Sequence, residues 1–563
     1  MDLLIKNGFV FDPLNEINGE KMDISIRNGK IVKSVSDRNS KIIDASGLTV
    51  FPGGVDIHSH IAGTEVNVGR LIRPEDHEKD FVRKTSVTRS GVGYSIPSTF
   101  IIGYRYSKMG YTTVMHPSMA PLEAKHTHKE LNDIPMLDKA TYPLLGDWWF
   151  VLENIQKGDI EECARYVAWI LTITKGYAIK IVNPGGLESW GYGRNVHSLD
   201  DQVPNFCITP REIICGLAKV NKMLNLPHTI HLHTNNLGVP GNYSTTLETM
   251  KCLESISNDR KPIAHITHLQ FSSFAGDDWS SFHSGAEEIT KYINNHDHIT
   301  FDMGQLIFSD TTTMTADGPF EYTLYQLNGQ KWVNSDVETE TSGGITPFHY
   351  KHKNPVNAIQ WSIGLELALL TKNLWKVLMT TDHPNAGPFT AYPKILAWLA
   401  SKKAREATFR RLHKKAQRRS ILPSISRELS LYDLAIVTRA GHAKALGLNE
   451  KGHLGVGADG DVAIFNINPE KLDIANKYKT LRRAFSNAAY TIKEGKILVK
   501  DGEIIQQADG KTMWLDVKTS RQVQVNKELK NKFRKYWTIE YENYPVPEHY
   551  LKNSSPLTIK AAV

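Results

Sequence analysis

The sequence predicts an α/β protein in which a barrel of strands and helices lies between two β-rich chain ends. Three observations support this fold class. Between residues 53 and 435, short apolar runs alternate with stretches that suit helices, which is typical of parallel strands separated by helices. The two ends instead alternate apolar and polar residues and are broken by glycine turns. Several central runs end in histidine or aspartate, as expected where barrel strands meet an active site.

The β-rich ends consist of hairpin-like segments. Residues 3–8 and 22–32 alternate at period two, and Asn28-Gly29 favours a primed turn between two strands. The same alternation returns in residues 463–467 and 489–499. We therefore expect strands from both ends of the chain, on either side of a different middle.

The central part is predicted from its apolar runs. Strands are expected at residues 112–115, 178–182, 229–233, 263–268 and 377–381, and helices at 155–175, 210–225 and 284–295. Residues 62–110 have no clear period and carry Gly and Pro, so a long loop is expected there. The aromatic and charged residues 511–563 indicate an ordered tail that covers a surface.

Composition restricts the function class. With 40% hydrophobic and 23% charged residues the chain is globular, and its four cysteines are too far apart for a disulfide framework or a cysteine zinc site. The sequence has neither a secretory leader pattern nor an apolar run of membrane-spanning length, so we expect a cytoplasmic protein without a membrane partner. Its net charge of +7 is too dilute to predict nucleic-acid binding.

A pair of histidines begins the central part. His58 and His60 follow a Gly-Gly turn at a spacing that aims two imidazoles from one extended face at a single point, where a metal is the natural occupant. The spacing alone is weak evidence, because His126/His128, His231/His233 and His296/His298 repeat it.

Position after a strand makes the evidence stronger. The ends of barrel strands converge on one mouth, so chemically active residues at several strand ends meet there. Four histidines and an aspartate follow or end such strands, and a lysine lies within one; together they predict a two-metal site: His58, His60, Lys180, His233, His268 and Asp382.

These motifs resemble those of the amidohydrolase superfamily of metal-dependent barrels. Residues 53–60, GGVDIHSH, resemble its first-strand signature, and residues 452–464 resemble its return into an accessory β-sandwich. Within the superfamily, the chain resembles the A components of formylmethanofuran dehydrogenases and of the bacterial formyltransferase/hydrolase complexes. That resemblance covers about residues 1–510 and is carried by the motifs at 111–117, 231–238, 266–271 and 380–388.

The resemblance implies a (β/α)8 TIM-like barrel with a composite β-sandwich formed by both chain ends. The implied boundaries are 1–52 and 436–510 for the two parts of the sandwich, 53–435 for the barrel and 511–563 for the tail.

The resemblance also implies the ligand set. His58 and His60 would bind one Zn²⁺, His233 and His268 the other, a carboxylated Lys180 would bridge them, and Asp382 would be the metal-bound acid/base. The charge of a lysine argues for the same modification, since an ammonium with a pKa near about 10.4 is repelled by two divalent ions and a carbamate is not.

Several alternatives stay open at the site. Lys180 could be salt-bridged and Asp382 could cap a helix. His231 and His265 compete for the ligand roles but precede the strand ends, and His116 either lines the pocket or lies in a loop. Imidazole and carboxylate ligands also suit iron or nickel.

By the same resemblance, the expected reaction is the condensation of formate with the amine of methanofuran to N-formylmethanofuran, and the reverse hydrolysis. The expected partners are the other subunits of a formylmethanofuran dehydrogenase, including a molybdenum or tungsten subunit that reduces carbon dioxide and iron–sulfur subunits. Two alternatives remain: a cyclic amide hydrolase of the dihydropyrimidinase or dihydroorotase type, and an inactive barrel that serves as an assembly subunit.

One basic segment stands apart from the rest of the chain. Residues 401–419 carry nine lysines and arginines against one acid and are expected to form one helix. Its charged face either meets solvent or binds an anionic partner. We expect Lys402, Lys403 and Arg405 to face the methanofuran tail, and the residues from Lys414 to Arg419 to face an acidic neighbouring subunit.

Overall fold

Within the residues that the computed structural model describes, 2–256, 262–334, 343–537 and 539–563, the strands form five sheets. The strands are β1 (Asp2–Asp12), β2 (Ile17–Arg27), β3 (Lys30–Val32), β4 (Ser40–Asp44), β5 (Thr49–Pro52), β6 (Gly54–Asp56), β7 (Tyr111–Met119), β8 (Asp138–Pro143), β9 (Lys180–Val182), β10 (Ile230–His233), β11 (Ala264–Ile266), β12 (Phe274–Ala275), β13 (His283–Ser284), β14 (Ile299–Asp302), β15 (Asp310–Thr315), β16 (Val333–Asn334), β17 (Gly344–His349), β18 (Val377–Leu378), β19 (Val462–Phe465), β20 (Tyr490–Lys493), β21 (Lys496–Lys500), β22 (Glu503–Ile504), β23 (Thr512–Thr519) and β24 (Ser554–Ala561).

Helices separate most of the central strands. They are α1 (Thr64–Ile72), α2 (Thr99–Lys108), α3 (Ala124–Asn132), α4 (Trp149–Gln156), α5 (Ile160–Ile173), α6 (Gly186–Trp190), α7 (Pro210–Leu224), α8 (Tyr243–Cys252), α9 (Ala286–Asn295), α10 (Gly318–Asn328), α11 (Pro355–Leu370), α12 (Tyr392–Ala400), α13 (Lys402–Phe409), α14 (Lys414–Arg419), α15 (Leu431–Ala435), α16 (Gly441–Leu446), α17 (Tyr478–Ser486) and α18 (Lys527–Trp537).

Two parallel sheets hold the strands that precede the predicted site residues. One has the order β18-β14-β11-β10-β9, and the other places β6, β7 and β8 beside β23 and β24. Two isolated parallel bridges link the edges of these sheets, Leu144 with Lys180 and Ser59 with His383. The carboxyl ends of all these strands therefore face the same side of the molecule, as in an α/β fold.

The predicted central strands at residues 112–115, 178–182, 229–233, 263–268 and 377–381 are confirmed as β7, β9, β10, β11 and β18. Helix α7 shows why the predicted helix at residues 210–225 agrees with the structure. Thr209 and Glu212 form a capping box at its start, Pro210 occupies the first turn, and Asn225 ends it in a left-handed conformation.

The expected long loop at residues 62–110 is wrong in part, because α1 and α2 lie within it. Neither helix has a side chain that caps its start, since Gly63 and Ser98 leave the first backbone N–H groups without such a bond. Without that capping signal the sequence pattern marks no helix start there.

Both chain ends contribute to one sheet of nine strands. Its order is β22-β21-β20-β19-β5-β1-β2-β3, with β4 paired to β1. Strand β19 pairs antiparallel with β5, so residues 462–465 of the returning chain extend the sheet begun by residues 2–52. A separate apolar cluster, with Val10, Val50 and Ile464 fully buried, fills this sheet's own core.

The final residues pack against the central part. Strand β23 pairs with β24 along its whole length and reaches β8 at Thr512. From helix α18, Phe533 lies 4.9 Å from the ring of Phe150, and Trp537 stacks at 6.2 Å on Trp148.

The single helix expected at residues 401–419 is wrong: the segment forms α13 and α14, separated by a turn. His413 begins α14 by accepting a hydrogen bond at Nδ1 from the backbone N–H of Lys415. The expected exposure of Arg405 is also wrong, since its buried guanidinium donates to the carbonyl oxygens of Trp398 and Arg427 at 2.8 and 2.9 Å. Arg405 thus fixes the helix in place rather than facing a ligand.

Within the described part of the chain, every helix is too short or too polar to span a lipid bilayer.

Candidate functional site

All six predicted site residues line one narrow pocket at the carboxyl ends of the parallel strands. His58 and His60 follow β6, Lys180 begins β9, His233 ends β10, His268 follows β11 and Asp382 follows β18. Each is nearly or completely buried, with at most 5% of its surface exposed.

Asp382 lies at the centre of this group. Its Oδ1 is 2.9 Å from His58 Nε2 and 3.3 Å from His60 Nε2, and its Oδ2 accepts a hydrogen bond from Asn385 Nδ2 at 3.1 Å. Burial by itself would raise the pKa of this carboxyl, but the neighbouring His58 and His268 imidazoles lower it, so the group stays ionised. The alternative helix-capping role is wrong, because the next helical turn begins only at Phe389.

Several buried polar atoms of this pocket have no hydrogen-bond partner among the described residues. They are His58 Nε2, His60 Nδ1, His268 Nδ1 and Asp382 Oδ1. His58, His268 and Asp382 present ligand atoms within 4.8 Å of one another. Buried polar atoms are normally satisfied, so this set of imidazole nitrogens and a carboxylate oxygen fits a divalent metal ion.

A chain of buried histidines orients His58 from below. His228 Nδ1 lies 2.7 Å from the carbonyl oxygen of Ala445, His228 Nε2 lies 3.0 Å from His231 Nδ1, and His231 Nε2 lies 2.9 Å from His58 Nδ1. A carbonyl oxygen only accepts hydrogen bonds, so His228 carries its proton on Nδ1. Its Nε2 therefore accepts from His231 Nδ1, and His231 Nε2 in turn accepts from His58 Nδ1. Burial keeps the rings neutral, since it lowers the pKa of His228 to about 3 and that of His231 well below its usual value. When His58 is neutral, its lone pair is therefore left on Nε2, which faces the pocket.

Sequence reasoning missed Asp302, which lies beneath the same histidines. Its Oδ2 is 3.1 Å from His265 Nε2 and 3.4 Å from His58 Nδ1, while its Oδ1 accepts from Thr380 Oγ1 at 2.6 Å. Asp302 ends β14, so the rule used for the other site residues would have found it if residues 299–302 had been recognised as a strand.

His233 has a different partner. Its Nε2 lies 3.0 Å from Oδ2 of Asp317, a residue that sequence reasoning also missed and that caps the start of α10. Burial raises the pKa of Asp317 to about 7. A metal bound at His233 Nε2 would have to replace this hydrogen bond.

Lys180 has no ion pair among the described residues, so the salt-bridged alternative is wrong within them. Its burial lowers the pKa of the amine to about 8, although the carboxylates of Asp382 and Asp302 partly oppose this. In the register of the sheet, Lys180 is paired with His231 and His231 with His265, so the three side chains share one face.

The three other histidines considered for the site, His116, His231 and His265, lie next to the pocket but do not line it. His231 and His265 lie under the pocket in the contacts described above. His116 is buried within β7, not in a loop, and its ring lies 5.9 Å from that of His60.

Asp56 holds the first histidine segment in place. It accepts hydrogen bonds from Tyr392 at 2.5 Å, Tyr106 at 2.7 Å and the backbone N–H of His58 at 3.1 Å. Burial raises the pKa of this carboxyl to about 6.

An outer cavity adjoins the pocket. Leu237, Phe271, Phe320 and Tyr350 line both spaces and form an apolar wall between them. The outer cavity has a volume of about 640 Å³. The two spaces are therefore direct neighbours.

Comparisons with known proteins extend over the whole chain. Residues 41–499 match the amidohydrolase family. Protein FwdA of Methanocaldococcus jannaschii is 53% identical over 100% of this chain and 99% of its own length. The A component of the formyltransferase/hydrolase complex Fhc of Methylorubrum extorquens is 35% identical over 88% of each chain. The crystal structure of that FhcABCD complex with methylofuran matches with a TM-score of 0.88 at 32% identity, over 99% of this chain and 100% of that one.

Proposed function

The chain belongs to the amidohydrolase family, and from this premise we propose that it condenses formate with the amine of methanofuran and hydrolyses N-formylmethanofuran in reverse. It is an enzyme chain homologous to FwdA and to the A component of the formyltransferase/hydrolase complex. The observation that carries the proposal is that one pocket is lined by all six predicted site residues in a chain of this homology.

We propose zinc as the metal and two ions as the number. His58 and His60 would hold one ion and His233 and His268 the other, with Lys180 and Asp382 between them. When bound, such ions polarise a carbonyl oxygen and lower the pKa of water. Support comes from the buried nitrogens of His58, His60 and His268 that have no hydrogen-bond partner among the described residues, and from the imidazole and carboxylate chemistry of the set.

Asp382 would move the proton at Oδ1, the oxygen that has no hydrogen-bond partner. In hydrolysis it takes a proton from the water that attacks the formyl carbon and delivers it to the amine nitrogen as the C–N bond breaks. In condensation the same carboxylate takes the proton from the amine and returns it to the departing oxygen. Asn385 holds the other oxygen of Asp382, which keeps Oδ1 directed at the reacting atoms.

Lys180 is proposed to be carboxylated at Nζ. The reaction needs an uncharged amine that attacks carbon dioxide and loses a proton, and burial favours the uncharged form by lowering the pKa of Lys180 to about 8. The carbamate then replaces a cation with an anion between two metal ions.

The two parallel sheets are proposed to form one (β/α)8 barrel, with a composite β-sandwich at residues 1–52 and 436–510 and a covering tail at 511–563. Eight parallel strands and two bridges between the sheet edges support the barrel. The nine-stranded sheet from both chain ends supports the composite unit.

We also propose that the chain works in a complex with other formylmethanofuran dehydrogenase subunits, including a molybdenum or tungsten subunit that reduces carbon dioxide and iron–sulfur subunits. Support comes from the relative of Methylorubrum extorquens, which is the A component of an FhcABCD complex.

The test compares a formyl amide with cyclic amides as substrates. Purified protein should release formate from N-formylmethanofuran and should not open the ring of dihydrouracil or dihydroorotate. Preferred ring opening would assign the chain to the cyclic amide hydrolases. The outer cavity of about 640 Å³ favours the larger substrate.

Metal analysis tests the site separately. Active protein should contain two metal ions per chain, and His58→Ala should lose both metal and turnover while keeping its fold by circular dichroism. Folded protein with neither metal nor amidase activity would support the inactive assembly role instead. A mass increase of one carboxyl group on Lys180, absent from Lys180→Ala, should accompany the metal.

A further inference from the structure

Another cavity, distinct from the pocket and from the outer cavity described above, lies on the side of α12 where α13 and α17 meet it. Its volume is about 480 Å³. The described residues that line it include no acid. Five of them carry cationic side chains: Lys394, Arg411, Lys479, Arg482 and Arg483. Sequence analysis singled out the 401–419 segment, but two of these arginines come from α17, about seventy residues further along the chain.

This cavity is separate from the proposed active site. Tyr392, on the inner face of α12, donates a hydrogen bond to Asp56 beside the metal-binding pocket. Lys394, Ala397 and Trp398, at helical spacing, line the 480 Å³ cavity on the outer side of α12 instead. Because the helix itself lies between the two spaces, the reacting end of a substrate cannot reach both.

Among the described residues, the five cations have no ion-pair partner. In the described chain none of them forms an ion pair or a side-chain hydrogen bond with another residue. Lys394 is half-buried and the other four cations are exposed, so water solvates each of them. Their crowding around one cavity nevertheless creates a mutual repulsion that a bound anion would offset.

Lys394 shows the strength of the local field. Its half-buried ammonium lies 5.0 Å from the ring of Trp398. Burial, followed by the charges of Arg482 and Arg411, lowers its pKa to about 8. An anion in the cavity would reverse this effect by stabilising the protonated form.

We propose that this cavity binds a compact polyanion that carries at least two oxyanion groups, phosphate or carboxylate. Its volume lies within the range of ligand sites, and arginine forks match the geometry of both groups. The proposal concerns binding outside the active site and is independent of the reaction proposed above.

Pyrophosphate is the probe that tests the proposal. Titration calorimetry on the full chain, in low salt at pH 7, should detect its binding. Arg482→Gln/Arg483→Gln should raise the dissociation constant at least ~10-fold, because two charge-assisted hydrogen bonds are lost. The matched control, Lys414→Gln/Lys415→Gln, removes the same charge from α14, outside the cavity, and should change it less than ~3-fold.

Two results would overturn the proposal: no binding of pyrophosphate to the unaltered chain, or equal weakening by both pairs of substitutions. Equal weakening would mean that the attraction is diffuse and comes from net charge alone. Because the readout is binding without turnover, a failure here leaves the proposed reaction untouched.

A further comparison distinguishes the source of the anion. If acidic side chains of a neighbouring subunit fill the cavity, pyrophosphate binds the isolated chain and fails to bind the purified complex. If the ligand is a free small molecule, pyrophosphate binds both.

Discussion

His58 is the residue on which the most contacts of the site converge. Its Nδ1 meets His231 and the carboxylate of Asp302, and its Nε2 meets Asp382. Burial alone would lower its pKa, but the two carboxylates outweigh burial and raise it. The contacts at Nδ1 hold the ring in one orientation, which is what a metal ligand needs.

Asp382→Asn should keep the metal content close to that of the unaltered chain and reduce turnover by ~10²-fold or more, the order expected when general acid–base catalysis is lost. The amide preserves the size and the contact with Asn385 but cannot take a proton. Steady-state release of formate and elemental analysis on the same sample check this. Normal turnover would remove Asp382 from the acid–base role.

His228→Phe should weaken metal binding by ~10- to 100-fold, although His228 lies two rings away from His58. The substitution removes the acceptor that fixes the proton on His231 Nδ1, so the orientation of His58 is no longer determined. His228→Gln offers an amide oxygen as acceptor and should retain more of the affinity. Competition with a chelator measures both. Equal affinity in the phenylalanine variant and the unaltered chain would show that the histidine chain does not orient the ligand.

At the level of elements, the C-terminal helix α18 is attached by one aromatic face. Phe533 is fully buried among the rings of Phe150, Trp169 and Tyr544, while Lys535 on the other side is exposed. Apolar burial, not the tail's many charges, therefore fixes its position.

Phe533→Ala should destabilise this attachment by about 3–5 kcal/mol, the usual cost of deleting a buried aromatic ring. Residues 527–563 should then become sensitive to limited proteolysis while the rest of the chain stays resistant. Lys535→Ala, on the exposed face, is the control and should behave as the unaltered protein. Resistance of both variants would mean that strands β23 and β24 alone hold the tail.

At the scale of the molecule, a buried ion network joins the central strands to the returning chain. Lys451 Nζ lies 2.5 Å from Asp138, 2.8 Å from Asp459 and 3.1 Å from Asp461, and Lys493 contacts Asp138 at 2.7 Å. Asp138 begins β8, whereas the other residues belong to the segment that returns to the nine-stranded sheet. The lysines occupy the space between the carboxylates, which argues against a metal there.

Lys451→Met should lower the free energy of unfolding by about 3 kcal/mol at pH 7, because it leaves buried carboxylates short of a partner. Lys511→Met is the control: Lys511 reaches Asp459 only at 3.7 Å and its close partner Glu494 is partly exposed, so its loss should cost about 1 kcal/mol or less. Urea denaturation measures both.

The loss of unfolding free energy caused by Lys451→Met should depend on pH, because the ion network shifts the carboxylate pKa values. Burial tends to raise the pKa of Asp459, but Lys451 and Lys30 lower it to about 2. The stabilisation is therefore complete above the unfolded pKa near about 3.9 and is lost as the pH falls towards 2. Without Lys451 the buried carboxylates protonate more easily. The difference in unfolding free energy between Lys451→Met and the unaltered chain should therefore narrow as the pH falls from 7 to 4. A gap that does not change with pH would argue against an ionic origin.

The sequence determined most of the site residues that stand at strand ends, because a short apolar run reports the position of its own last residue; Lys180, which begins β9, is the exception. His233 ends β10 and Asp382 follows β18 as that rule predicts, and the six residues meet in one pocket. Capping residues such as Thr209 similarly set the start of α7 from local chemistry. Each of these features depends on neighbours a few positions away.

Tertiary structure alone decided which distant residues touch. Nothing in the sequence pairs His228 with Ala445, or brings Arg482 next to Lys394, since a helix or strand pattern identifies a buried face and not its partner. For the same reason, Asp302 and Asp317 came to light only with the fold, and Arg405 proved to be buried among carbonyl oxygens in a segment whose charge predicts exposure. Local periodicity fixes the elements, whereas long-range packing decides which polar atoms are left unsatisfied and therefore available for chemistry.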